Sequence, residues 1–254
     1  MKIRMLGTGY GECKNKKKFS KEYRGRGGVL IDEQILIDAP SDIFDVACEL
    51  GFDRMFDTVT DVLISHSHSG HFSPEAVDKL AERRKIRVFA SREVLSQLSS
   101  NPNIEKYEIG VFTQFAVGKY MASALPSNHS TASYTEECFN FLLIGEKNLF
   151  YALDGGFINK RAFHILKHVK LDAVILDGAL DLENAGEESL YHNDITTLFK
   201  MKKIFESAGV SSERTRFIVS HVPTDKKREI HMELSPIVSK AGMVLAYDGY
   251  FLRI

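Results

Sequence analysis

Apolar residues along this chain fall into short runs rich in β-branched side chains, each closed by a turn residue or a charge. Val29-Leu30-Ile31-Asp32, Gln34-Ile35-Leu36-Ile37-Asp38, Asp61-Val62-Leu63-Ile64-Ser65 and Ile86-Arg87-Val88-Phe89-Ala90 form a first set. Runs of this length and composition predict strands. A second set comprises Phe139-Asn140-Phe141-Leu142-Leu143-Ile144, Asn148-Leu149-Phe150-Tyr151-Ala152-Leu153, Ala173-Val174-Ile175-Leu176 and Arg216-Phe217-Ile218-Val219-Ser220. Near the end, Asp248-Gly249 between apolar runs predicts a hairpin. Segments of helical period lie between the strands, at about 41–50, 73–85, 91–99, 159–169, 193–208 and 225–240. Ser73-Pro74-Glu75 reads as a helix start, because serine caps free amides and proline suits the first turn.

Strand-rich sequence followed by mixed strands and helices recurs in both halves, with no linker or low-complexity tract. That order predicts an α/β chain with two sheets packed face to face and helices outside. With 254 residues and 44% hydrophobic content there is ample material for a buried core, and one domain over 1–254 is expected. Lysine plus arginine (33) balances aspartate plus glutamate (34), so no global field favours nucleic acid or a membrane surface. A local basic patch stays open. The three cysteines, Cys13, Cys48 and Cys138, lack CxxC spacing, which argues against a disulfide framework or a cysteine zinc site. The apolar run Met1–Leu6 is cut short by Gly7-Thr8-Gly9, too short for a signal peptide, and no run approaches a membrane span. A cytoplasmic protein is expected.

The chemistry concentrates in His66-Ser67-His68-Ser69-Gly70-His71, which follows the strand Asp61–Ser65 directly and precedes the helix start at Ser73. Three histidines at spacings of two and three on a strand end and its loop can converge on one point. Neutral imidazole is a good ligand for zinc, manganese or iron. The competing reading, histidines clustered without a ligand, is weakened by there being only nine in the chain.

This cluster resembles the HxHxDH signature of the metallo-β-lactamase superfamily, with Gly70 where the family has an aspartate ligand to a second metal. The resemblance implies an αββα four-layer sandwich of two mixed β-sheets with helices on both outer faces, and a site for one or two divalent ions. Leu125-Pro126-Ser127-Asn128-His129 resembles the segment that gives the third histidine of the first site, though a histidine there can also cap a turn. Leu149–Asp154 followed by Gly155-Gly156 is similar to the strand ending in the bridging aspartate, Asp154, which could otherwise only form the turn. Asp177, ending the similar strand Val174-Ile175-Leu176, is a reserve candidate. Phe217-Ile218-Val219-Ser220-His221 repeats the strand-then-Ser-His pattern of Leu63-Ile64-Ser65-His66, so His221 resembles the last histidine ligand. The implied metal ligands are thus His66, His68, His71, His129, Asp154 and His221.

Tyr191-His192-Asn193-Asp194, with Leu6-Gly7-Thr8-Gly9, Gly28–Asp32 and Tyr247-Asp248-Gly249, resembles the branch containing phosphoribosyl cyclic phosphodiesterases. In that branch the extra histidine acts at the substrate phosphate, which makes His192 a catalytic candidate beside Asp154; Asn193 or Asp194 could instead cap a helix. The implied reaction is attack of metal-bound hydroxide on a small, in some cases cyclic, phosphodiester. Metal-dependent nuclease action is an alternative. A degenerate metal- or ligand-binding protein is another, because Gly70 removes an anionic oxygen from site two. That site would then be labile, or completed by water, substrate phosphate or another acid. Lys14, Lys16, Lys17, Lys18, Lys21, Arg24 and Arg26 read as a solvated loop or as a phosphate-recruiting arm. His164, His168 and His231 read as ordinary helix-face residues.

Overall fold

The computed structural model describes residues 1–11, 20–52, 54–180, 182, 186–225 and 227–254. Its first six strands are β1 (Lys2–Gly7), β2 (Gly28–Ile31), β3 (Ile35–Ile37), β4 (Asp61–Leu63), β5 (Ile86–Ala90) and β6 (Ile104–Glu108). Seven follow: β7 (Gln114–Val117), β8 (Tyr120–Pro126), β9 (Phe139–Ile144), β10 (Leu149–Ala152), β11 (Ala173–Asp177), β12 (Arg216–Ser220) and β13 (Met243–Leu245); β14 (Phe251–Arg253) is last. They form two seven-stranded sheets, ordered β14-β1-β2-β3-β4-β5-β6 and β13-β12-β11-β10-β9-β8-β7.

Both sheets follow one plan. An antiparallel part, β14-β1-β2-β3 or β7-β8-β9-β10, continues into a parallel part, β3-β4-β5-β6 or β10-β11-β12-β13. Alternation along each strand sends side chains to opposite faces. Ile175 and Ile218 join Ile3, Met5, Ile37 and Tyr151 between the sheets, while Val174, Leu176, Phe217 and Val219 face outward. The outward set packs against α4 (Lys160–Leu166), α5 (Ile195–Ser207) and α6 (Ile230–Lys240). Leu36, Val62 and Val88 of the other sheet pack on α1 (Ile43–Glu49), α2 (Pro74–Ala81) and α3 (Arg92–Gln97). Layers therefore run helix, sheet, sheet, helix. Continuous apolar runs such as Val174–Leu176 are what strands covered on both faces require. Each buried Leu, Ile or Phe contributes roughly 1.5–3 kcal/mol by leaving water.

The anticipated helix start holds: Ser73 accepts from the Ala76 amide at 3.2 Å, with Pro74 in the first turn. The anticipated hairpin at Asp248-Gly249 does not form. Tyr247–Tyr250 makes a tight turn with Gly249 at φ 85°, but β13 edges one sheet and β14 edges the other. The turn crosses between sheets because Asp248 is drawn inside, accepting from the Thr8 hydroxyl at 2.7 Å and the Gly25 amide at 2.6 Å. No described helix is long and apolar enough to cross a membrane.

Candidate metal centre

Strand ends bring the candidate residues to one rim. His66 to His71 follow β4, His129 follows β8, Asp154 follows β10, Asp177 closes β11 and His221 follows β12. The β4 loop folds back on itself, since the His71 and Phe72 amides both donate to the His68 carbonyl at 2.8 and 2.9 Å. Asp154 and His221 sit at φ 50° and 52°, a left-handed conformation that non-glycine residues adopt at a cost and that turns their side chains into the rim.

Asp154 is the centre of the arrangement. Its Oδ2 lies 3.0 Å from His71 Nε2, 3.5 Å from His66 Nε2 and 3.8 Å from His129 Nε2. Oδ1 lies 2.9 Å from His221 Nε2 and 3.3 Å from His192 Nδ1. His68 Nδ1 and His129 Nε2 are 3.0 Å apart. Among the described residues, three groups could each hold an ion: His66, His68, His129 and Asp154; His71, Asp154 and His221; and Asp154, Asp177 and His192. Within each group the ligand atoms lie within 4.8 Å of one another. A tetrahedral zinc ion with Zn–N of about 2.0–2.1 Å spaces its ligands about 3.3 Å apart, so these separations fit a cation between them. His66 Nε2, His71 Nε2, Asp154 Oδ1 and His192 Nδ1 are buried with no hydrogen-bond partner. Buried polar atoms left in that state are rare, and cations held by these groups would satisfy all four.

Neighbouring groups fix the rings. Ser65 Oγ meets His66 Nδ1 at 3.0 Å, leaving Nε2 for the interior. Asp38, itself at φ 63°, receives the Ser65 amide at 2.8 Å, the Ser65 hydroxyl at 3.0 Å and the Tyr151 hydroxyl at 2.6 Å, and faces His71 Nδ1 at 2.8 Å. Glu136 ties the loops together by accepting from the Ser67 amide (2.7 Å), the Ser67 hydroxyl (2.6 Å) and the Thr131 hydroxyl (2.8 Å). Tyr10 stands edge-on to both His192 and His221, with ring centroids 5.0 and 5.3 Å apart. Sequence reasoning missed Asp38, Glu136 and Tyr10. Only Asp38 carried a signal, since Ile35-Leu36-Ile37-Asp38 is an apolar run ending in an acid, as is the run that ends in Asp154.

Electrostatics divide the imidazoles into two sets. Burial, with the neighbouring rings, lowers His66 and His68, and takes His129 down to about 3 in spite of Asp154, so these rings are neutral near pH 7, the form in which imidazole can ligate a metal. Burial alone would lower His71 and His192 too. The carboxylates of Asp154 and Asp38 instead lift His71 to about 10, and those of Asp154 and Asp177 lift His192 to about 10. Asp154 is held well below the ordinary carboxylate range, its burial outweighed by His221, His71 and His192. Positive charge is thus wanted on both sides of Asp154.

His66, His68, His71, His129, Asp154, His221 and His192 all meet here, and Asp177 joins them. The capping alternative at 193–194 falls to Asp194, which accepts from the Thr197 amide at 2.6 Å; Asn193 binds Asp177 instead. Of the N-terminal basic segment and its cysteine, Cys13, Lys14, Lys16, Lys17 and Lys18 lie outside the described residues. In its later part Lys21 is exposed and Arg26 half-buried, but Arg24 is withdrawn from solvent. Arg24 is 1% exposed and donates to the Thr8 hydroxyl and the Ala246 carbonyl, while Glu22 accepts from the amides of His231 and Met232 at the start of α6. His231 is correspondingly buried, its Nδ1 3.4 Å from an Arg24 nitrogen, because α6 packs on this segment. His164 on α4 and His168 in the turn just after it contact each other, away from the rim.

Residues 33–222 match the family described as "Beta-lactamase superfamily domain", and the chain belongs to that superfamily. Its structure is that of the metallo-β-lactamase fold. The metallo-beta-lactamase fold protein YhfI from Bacillus subtilis is similar with a TM-score of 0.72 at 13% identity, covering 99% of this chain and 98% of its own. Zn(2+)-bound PqqB from Methylobacterium extorquens is similar with a TM-score of 0.71 at 14% identity, covering 100% of each chain. The short form of human tRNase Z is similar with a TM-score of 0.66 at 14% identity, covering 100% and 99%. No curated protein matches the sequence.

Proposed function

We propose that the chain is a metal-dependent hydrolase that cleaves a small phosphodiester, cyclic ones included, with one or two divalent ions, zinc or manganese before iron. The observation that carries this reading is the division of Asp154: one oxygen faces His66, His71 and His129, the other His221 and His192. A carboxylate so shared suits two neighbouring cations, and when bound such ions supply Lewis acidity and lower the pKa of water.

The chain's own residues supply the rest. His66, His68 and His129 would hold one ion with Asp154; His71 and His221 would hold the other. His192 turns Nδ1 inward to Asp154 and Asp177, which leaves Nε2 as the nitrogen that can donate to a phosphate or leaving oxygen. Tyr10, 45% exposed beside His192 and His221, is placed to line the opening. A small substrate is favoured over a polymer because the cavity lined by Lys147, Lys170, Arg214, Arg216 and Arg253 lies at the opposite ends of the strands. A cytoplasmic setting is in keeping with three cysteines that lack CxxC spacing.

The test is hydrolysis of a panel of cyclic and acyclic phosphodiesters, before and after chelation, with manganese or zinc restored. Turnover that disappears on chelation and returns with metal supports the reading. No turnover of any phosphodiester with either metal rejects it, and ligand binding without product would instead mark a binding protein.

A further inference from the structure

We propose that Asp177 and His192 stand in for the aspartate absent at Gly70, adding ligands beside Asp154 Oδ1 for the second ion, which His71 and His221 hold from the other side. The inference rests on the two-ion reading above and assigns that reading's missing acid. Around an ion with bonds of about 2.0–2.2 Å, adjacent ligands lie about 2.9–3.5 Å apart, octahedral to tetrahedral. On the Oδ1 side of Asp154 the observed separations are 2.9 Å to His221 Nε2 and 3.3 Å to His192 Nδ1, and His192 Nδ1 is 3.6 Å from Asp177 Oδ2.

Independent observations point the same way. The His192 side chain is 6% exposed and that of Asp154 4%, and neither His192 Nδ1 nor Asp154 Oδ1 makes a hydrogen bond. The imidazole lies between the two carboxylates, with Nδ1 3.3 Å from one and 3.6 Å from the other. Asp177 is fully buried and, among the described residues, faces no lysine or arginine; its partners are His192 and the amide and side chain of Asn193, at 3.0 and 2.5 Å. A buried carboxylate in that position calls for a cation. Asn193 holds Asp177 in a fixed orientation, as a ligand's supporting residue does. At Gly70, by contrast, a Cβ would meet nothing within 4 Å, so no neighbouring side chain occupies the place of the absent aspartate.

The experiment measures manganese stoichiometry and affinity, without substrate, for the wild type, Asp177→Asn, and Asp177→Asn combined with Gly70→Asp. The wild type should bind two ions. Asp177→Asn should keep the first and bind the second at least tenfold more weakly, the retained ion reporting that the variant is folded. Restoring an aspartate at 70 should recover the second. A single ion in the wild type at saturating manganese, or wild-type affinity for two in Asp177→Asn, overturns the proposal. Should Asp177→Asn unfold, anomalous scattering from manganese-soaked wild-type crystals decides. A peak bonded to His192 Nδ1 and Asp177 supports it, and a second-site peak bonded to neither overturns it. Hydrolysis is not read in either experiment, so loss of the phosphodiesterase reading would leave the result intact.

Discussion

Nδ1 of His71 lies 2.8 Å from Oδ2 of Asp38, which leaves Nε2 as the nitrogen that faces Asp154. A carboxylate behind an imidazole fixes its tautomer and raises its basicity, and loss of such a partner weakens metal binding about 10–100-fold. Asp38→Asn keeps the shape but sets an amide against the Ser65 N–H or removes the charge behind His71. The expected outcome is a drop of that size in zinc or manganese affinity by calorimetric titration; unchanged affinity would mean that His71 is not a ligand.

Glu136 joins the loop of His66 and His68 to the one that follows His129, through Ser67 and Thr131. Hydrogen bonds to a charged acceptor contribute about 1.5–3 kcal/mol each, less where water competes. Glu136→Ala should therefore lower stability by about 1–3 kcal/mol in urea unfolding. It should also weaken the first ion more than the second, because His68 and His129 lose their tether. Equal weakening of both would argue for a general loosening instead.

Gly70 has open space around its Cβ position and no left-handed backbone to forbid a side chain. Gly70→Asp alone should fold with stability within about 0.5 kcal/mol of wild type, as surface changes without special contacts do. Because Asp177 and His192 already serve the second ion, stoichiometry should stay at two. A thermal melt and metal analysis of the purified variant check both statements.

Where the fold was legible, a local rule was enough. Ser73-Pro74 marked α2, and the apolar runs of β2 to β5 and β9 to β12 marked buried strands. The edge strands β6 and β7 were invisible: β6, Ile104-Glu105-Lys106-Tyr107-Glu108, carries charges that protect an open edge and so lacks apolar alternation. The turn at Asp248-Gly249 was legible as a turn, but turn chemistry does not say which sheet receives the next strand. Most of the site was readable because its residues follow strands in a repeated way, as at His66 and His221. Glu136 and Tyr10 sit on irregular segments where only the folded chain creates the contact. Arg24 and His231 looked like surface residues because their burial depends on partners far away in the chain.

That buried cluster yields a pH dependence of its own. Burial pushes Asp248 up to about 7 against the opposing pull of the Gly25 amide, Thr8 and Arg24, while burial, Arg24 and Lys21 push His231 down to about 4. For Asp248 the folded value exceeds the ordinary 3.8, so its stabilisation is full below that value and is lost as pH rises through about 7. For His231 the folded value lies below the ordinary 6.5, so its stabilisation is present above 6.5 and is lost as pH falls toward 4. Across that window the two slopes oppose and flatten the wild-type profile. Asp248→Asn should leave the His231 slope, losing stability on acidification from pH 6.5 to 4.5. His231→Asn should leave the Asp248 slope and gain stability over the same interval. After allowance for solvent screening the two variants should diverge by on the order of 1–2 kcal/mol. Urea midpoints at several pH values measure this, the other titrating groups cancelling because all three proteins share them. Parallel profiles in the three proteins would show that neither group titrates as its burial requires.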